Sequence, residues 1–518
     1  LSVYKRILAS LLFLILTGAP LKSQVVHTKY FDRFSHYSID DWITYAYANH
    51  ITSIDVGSDY VYFGTTQGGI LRFDVFDQSW DFPFTVSSGL RSNTILRLSY
   101  DPLSDQLYAR TPEGIDVYNK AFRYWERASV SELPRQRTPQ DFQRGNDFRY
   151  PPYSRPGLDV LNNFFTDGQY DYLPRGTVIS PENYRYEVTD MVVDFRNTLW
   201  IGTSGAGIGN VDLDGLTMHF EPRSVAAISP NDLLFDGDYV WIAGDPLQRP
   251  EAAITRWDSY ENSWQFFREG IYASIISLRI NTIEWFNGNV FFGSDRGLFY
   301  FDTRKGSWQR LRNEFVGDDF IFDLQVVDSV LFAATESGLL KISKSLDFAT
   351  EVSPKLLRHS SVYQLAAADG EVYLATDRGL FVLDSVSAGA RFLATGSAVS
   401  DLFLTAVGVQ NDTVWFAGSG GVAMGIPDER DWRSFPGVRL SVTSRINDIA
   451  FSGENVWFAS NSGLIKYDKA RDYWYLYTEQ DGLPSPEIRK IDVAGDDLWL
   501  STAGGITVFR WNEPGREE

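Results

Sequence analysis

One phrase recurs ten times along this chain: aliphatic, aromatic, apolar, small, then a short polar turn ending in glycine, then apolar residues again. Clear copies are VYFGTTQGGILRFD from Val61, LWIGTSGAGIGNVD from Leu199, VFFGSDRGLFYFD from Val290, VYLATDRGLFVLD from Val372, VWFASNSGLIKYD from Val456 and LWLSTAGGITVFR from Leu498; looser ones start at Leu107, Val240, Leu331 and Val414. The small residue serves as an anchor, at Gly64, Arg110, Gly202, Ala243, Gly293, Ala334, Ala375, Ala417, Ala459 and Ser501. From Gly293 onward the step is 41 or 42 residues. A period of that size identifies a repeat architecture and constrains the fold more than any other feature.

Each copy reads as strands. A short alternating stretch precedes the anchor run (ITSIDV from Ile51, INTIEW from Ile280, INDIAF from Ile446, IRKIDV from Ile488) and ends in a turn residue, the pattern of a strand and tight turn. The anchor run is a second strand and the segment after the glycine a third. A fourth begins at a tryptophan six residues after an Asp or Asn, as from Asp74 to Trp80, Asn119 to Trp125, Asp258 to Trp264, Asp302 to Trp308 and Asp468 to Trp474. Four strands per period with almost no helical periodicity make one blade of a β-propeller. The expected fold is therefore all-β, a propeller array of about ten four-stranded blades over residues 40–511. The segment around Trp42 has fourth-strand register, so it is expected to pair near Val508 and close the last blade, removing exposed edges. The phase permits one ring of ten blades, slightly preferred because no linker separates the fifth and sixth repeats, or two rings of five.

With 44% hydrophobic and 15% aromatic residues in 518, the chain has ample material for such a core. KRILASLLFLILTGAPLKSQ from Lys5 reads as a secretory signal, with residues 1–23 removed, 24–39 a lead-in and 512–518 a polar tail. The apolar run is short for a membrane span and no later one exists, so export without an anchor is expected, to the periplasm, cell surface or medium. The absence of cysteine excludes disulfides, lipobox attachment and cysteine–zinc sites. A net charge of −20 argues against nucleic acid as a partner.

LWIGTSGAGI from Leu199, and more fully VWFASNSGLIKYDKARDYWYLYTEQDGLPSPEIRKIDVAGDDLWLSTAGGI from Val456, resemble the two-component regulator propeller repeat of periplasmic sensor regions in bacterial hybrid histidine kinases. The resemblance covers nearly all of residues 40–511. It implies a bacterial extracytoplasmic propeller that senses or binds something, often a glycan. Here the repeats are fewer than in such sensors, and neither an immunoglobulin-like domain nor a kinase follows them, so signalling across a membrane is not expected of this chain alone. Free-standing relatives occur at cell surfaces and with secretion machinery, which makes an envelope or secretion-associated protein, or an extracellular glycan, the expected partner.

The array is interrupted at residues 128–187, where 92 residues separate successive anchors. Arg149, Tyr150, Tyr153, Arg155, Tyr170 and Tyr172 lie there among Pro and Asn, and tyrosine with arginine is a composition favoured at interaction surfaces. The segment reads either as a degenerate blade packing on its neighbours or as a binding arm. Two blade-borne candidates stand beside it. Asn210, Asp212, Asp214 and Glu221 match calcium-loop spacing, although Asp-Gly is equally a hairpin turn. Asp295, Glu336 and Asp377, each two residues before a turn glycine, should line one rim and are candidates for a cation or a sugar. The five histidines show no paired metal spacing, and no nucleophile elbow or phosphate loop occurs. The favoured function is a non-catalytic ligand-binding or assembly module of the cell envelope. The alternative is a propeller glycan lyase or glycoside hydrolase, whose residues would come singly from different blades.

Overall fold

The computed structural model describes residues 41–129, 132–135, 152–246 and 253–268, and from 274 to 512 all but short stretches between strands. The signal and lead-in, Arg149, Tyr150 and the end of the polar tail lie outside the described residues. Ten sheets form, antiparallel except where Phe165–Thr166 adds a short parallel strand beside Thr217–Glu221, and in each the repeat's strands lie side by side in chain order. In chain order the blades are one (51–84), two (97–128), three (165–221), four (229–267), five (280–310), six (321–351), seven (362–392), eight (404–435), nine (446–477) and ten, which joins Trp42–Tyr45 to residues 488–510. Trp42 pairs with Phe509 and Ile43 with Val508, as the fourth-strand register of the entering segment required.

The blades do not form one ring of ten or two of five. First strands of blades four to ten touch in succession, and that of blade ten touches that of blade four, closing a ring of seven. Blades three, one and two form a separate arc in that order, with blade one in the middle. The chain leaves the outer strand of blade ten, builds the arc, and returns to start blade four, a route that an even repeat spacing does not reveal.

Face-to-face packing explains the anchor. Counted from the leading residue of each first-strand segment (Ile51, Ile95, Val188, Pro230 and Ile280 in blades one to five, and the first strand residue in blades six to ten), the third position pairs with the anchor of the second strand, as in Ser53 with Gly64, Asp190 with Gly202, Thr282 with Gly293 and Asp323 with Ala334. The next blade's leading aliphatic residue rests on that spot. A Cβ at Gly64 would lie 2.6 Å from Ile95 Cγ2, at Gly202 2.7 Å from Ile51 Cγ2, and at Gly293 2.7 Å from Ile321 Cγ2. Blade two pairs Arg97 with Arg110 instead, and it is the end of the arc, with no further blade seated there among the described residues. We therefore expect Gly64→Val to destabilise the protein by at least ~1–3 kcal/mol through overpacking, while Arg110→Ala stays within about 0.5 kcal/mol. Denaturant melts of both variants check this, and comparable losses would refute the packing rule.

The Asp-to-Trp spacing is also local physics. Asp74, Asp258 and Asp302 each accept the amides two and three residues on, fixing the turn before the fourth strand. Trp200, Trp241, Trp415 and Trp457 are buried between blades.

The described part of the insertion is packed. Val160, Leu161 and Val178 join Met191, Val193 and Ile201 in one core on blade three, with Tyr170 and Tyr172 partly buried against it. Tyr153 belongs to the core between blades one and three, and its amide donates to the Val193 carbonyl at 2.7 Å. Arg155 reaches Asp190 and the Ile54 carbonyl, tying blade three to blade one. Tyr170 and Tyr172 thus cover the face of blade three that the arc leaves open, while Tyr153 and Arg155 join blade three to blade one; of the two readings of this segment, these four side chains follow packing on its neighbours.

Candidate ligand-binding funnel

The ring axis opens as a funnel of about 390 Å³. Every ring blade contributes the residue that follows the leading one of its first-strand segment: Asn231, Asn281, Phe322, Tyr363, Thr405, Asn447 and Arg489. A bulge between the first and third residues of each of these segments turns that side chain toward the axis.

The wall has two unlike halves. On one side Phe320, Phe322, Tyr363 and Phe403 form a chain of rings with centroids 4.6, 5.1 and 5.0 Å apart. Phe403 remains 38% exposed although it is large and apolar. On the other side stand Asn231, Asn281 and Asn447, whose amides donate to the leading carbonyl of the next blade at 2.6, 2.8 and 2.7 Å. Arg489 pairs with Glu487 at 3.0 Å and Asp245 at 3.7 Å, and Arg279 with Asp245 at 3.8 Å. Arg445 lies 5.9 Å from the Tyr363 ring centroid with no carboxylate partner among the described residues, and burial lowers its pKa.

Deeper in, the third residues of the strands stitch the blades together. Asp232 accepts the Ile283 amide, Asp323 that of Leu365, Gln364 that of Val407 and Asp448 that of Ile491, at 2.8–2.9 Å. In the arc, Ser53 and Asp190 do the same for Leu98 and Ile54. Lys490 stands among Asp232, Glu284, Asp323 and Asp448, its Nζ 3.7 Å from Asp448. Burial alone would lower the Lys490 pKa, but the four carboxylates together hold it well above the usual value. Burial pushes Asp232 up to about 7 and Glu284 up to about 8, against the opposing pull of Lys490.

The sign of the pH effect follows. Carboxyl groups with raised pKa bind protons more tightly in the fold than in the unfolded chain, so stability falls as pH rises from about 4 toward the folded values near 7 and 8, then levels off. Denaturant midpoints measured across that window should decline. Asp232→Asn with Glu284→Gln should flatten the decline, and an unchanged slope would count against this origin.

The three rim carboxylates predicted from sequence do share the funnel's face, but they stand outside its lining. The amides of Asp295, Glu336 and Asp377 donate to the carbonyls of Arg279, Phe320 and Ser361, which lead into first strands. Asp295 and Asp377 accept the hydroxyls of Ser277 and Ser360. In blades four and nine the corresponding turn residues, Asp245 and Asn461, do line the funnel.

Asn210, Asp212 and Glu221 line a different cleft, of about 850 Å³, between the arc and blade four. Glu221 is occupied by Arg223, Asp214 by the Asn197 amide, and Asp212 caps the turn through the Asp214 amide. No group of three His, Asp or Glu side chains close enough to hold a metal occurs among the described residues. Around Gly215 the segment forms a hairpin turn, closed by the Gly215 amide on the Asp212 carbonyl and by the Asp214 amide on the Asp212 carboxylate.

Sequence reasoning missed the funnel residues. Their only signal is a polar or aromatic side chain one and two places after the leading aliphatic of each first strand, where simple alternation would expose half of them.

No family model and no curated protein matches the chain. Among solved structures it is similar to PorZ, described as a bacterial surface component of the type IX secretion system of Porphyromonas gingivalis, at 12% identity and TM-score 0.57, covering 91% of this chain and 87% of that one. Two extracellular domains described as parts of hybrid two-component systems of B. thetaiotaomicron align at 15% and 13% identity with TM-scores of 0.47 and 0.45, covering about 90% of this chain and 70% and 71% of theirs. At these identities the likeness speaks for the fold alone, and the alignment to PorZ agrees with a multi-blade β-propeller.

Proposed function

We propose that the chain is a non-catalytic extracytoplasmic binding module of the bacterial envelope, and that it holds its ligand in the funnel of the seven-bladed ring. The observation that carries this reading is the division of the wall into an aromatic half and an amide–guanidinium half. Ring faces cover the apolar face of a sugar or an aliphatic segment, while amide and guanidinium groups meet its hydroxyl or carbonyl oxygens. Such a division is the usual make-up of a small-ligand site, and an extracellular glycan is the ligand class that suits it best. The surface location described for the Porphyromonas gingivalis neighbour supports an envelope setting.

The lyase or hydrolase alternative has little to draw on in the funnel. Its buried carboxylates Asp232 and Asp323 already accept backbone amides of the next blade, and glycoside hydrolysis needs two carboxyl groups free to face the bond. Binding to an array of bacterial and host glycans, followed by titration of the hits, tests the proposal. Tyr363→Ala and Asn281→Ala should each weaken binding by about tenfold, in line with ~1.4 kcal/mol per lost contact, measured at a temperature where both variants are still fully folded. Hits that ignore both substitutions, or that are cleaved during the titration, would refute it.

A further inference from the structure

We infer that the outward face of blade two is a docking surface for a partner protein that presents an acidic β-strand. The inference is independent of the funnel. In six blades the third residue of the first strand is a hydrogen-bond acceptor that takes an amide of the next blade. Beside it, in nine blades, the anchor is Gly, Ala or Ser, open to the next blade's leading aliphatic residue. Blade two inverts both positions: Arg97 replaces the acceptor and Arg110 the small anchor, directly opposite each other on neighbouring strands.

Like charges so placed repel, and among the described residues no carboxylate pairs with either of them. Arg97 Nε is shielded from solvent without a hydrogen bond. On the same side, Glu126 accepts the Tyr124 hydroxyl and Glu132 the Ser129 amide. Part of the face is already covered, since the Ser99 hydroxyl donates to the Pro134 carbonyl at 2.9 Å. Arg110 and Leu96 remain exposed beside it.

A blade face with two donors where its siblings have an acceptor and a hole fits an occupant of inverted chemistry, bringing carboxylates where a sibling blade brings an amide and an isoleucine. Two copies of this chain joined through this face about a two-fold axis would set four guanidiniums together, which the charge pattern disfavours. In a chain of net charge −20, an arginine pair with no carboxylate partner among the described residues is a local exception that selects an acidic partner.

The test places a photo-crosslinking phenylalanine analogue at Tyr108, two residues before Arg110 on the same face, in the full chain produced in its host cells. The expected product is a heterologous protein linked through a strand that carries Asp or Glu. Its yield should fall at least tenfold in the Arg97→Glu, Arg110→Glu variant and return when the partner's acids are changed to Lys. Should that variant melt below the parent protein, Arg110→Ala and the salt dependence of the yield replace it, and the yield should drop as salt is raised. Crosslinks only to residues 136–151 of the same chain, to a second copy or to lipid, a yield indifferent to charge reversal and salt, or no product at all would overturn the inference.

Discussion

Trp42→Ala is expected to cost ~3–5 kcal/mol, the scale of a large aromatic deleted from a core. The indole is 2% exposed and stacks on Phe509 with centroids 3.7 Å apart and planes at 10°. It also fills the space over Gly482, where an added Cβ would lie 2.6 Å from the ring. Because Trp42–Tyr45 forms the outer strand of blade ten, the loss bears on ring closure as well as on packing. Removing residues 41–46 altogether should expose a bare edge on the strand Gly505–Arg510, with concentration-dependent association as the result. Urea unfolding and light scattering check the pair. A substitution that leaves the midpoint unchanged, with a truncated chain that stays monomeric, would show that the ring does not depend on this strand.

Lys490→Met is the second substitution with a large expected effect. Removing one partner from a buried charge cluster strands the others, at ~3–5 kcal/mol for a fully buried pair. The Lys490 side chain keeps 32% of its surface open to the funnel, so screening by solvent there brings the expected cost to the lower end, about 3 kcal/mol. Without the cation, Asp232 and Glu284 should hold their protons to still higher pH, since its charge opposes their burial alongside the backbone amides they accept. The variant should therefore lose most stability at neutral pH and recover part of it in mild acid. Urea midpoints at both pH values decide the matter; a uniform loss at every pH would point to lost packing and remove the cluster from the explanation.

The repeat was legible because its determinants are local. Alternation, turn glycines and the Asp-to-Trp interval are set within one blade, and each appears in the structure where the spacing puts it. Even the end of the arc left a mark, since Arg110 stands where every other anchor is Gly, Ala or Ser. The closure number was not legible, because it depends on which first strands meet, and Ile488 follows Ile446 by the same interval whether blade ten then meets blade four or another blade. The funnel was hidden for a related reason. Asn281, Tyr363 and Arg489 are far apart in the chain, and each alone resembles an ordinary polar or amphipathic strand residue. The insertion shows the opposite failure. Tyr153, Tyr170 and Tyr172 have the composition of an interface, and they form one, but with the chain's own third blade.

Ring closure also sets a timetable for biogenesis. The Thr44 and Thr507 hydroxyls are hydrogen-bonded at 2.9 Å across 463 residues of chain, so one of the first structured segments to emerge from a ribosome or an export channel finds its mate only when nearly everything else has followed. Until then blade ten lacks its outer strand, while the arc of blades one to three is complete early. A chain cut short by premature termination or by a protease within blades nine or ten thus carries a finished arc attached to a gaping ring, a species that cellular quality control can recognise by its unpaired edge.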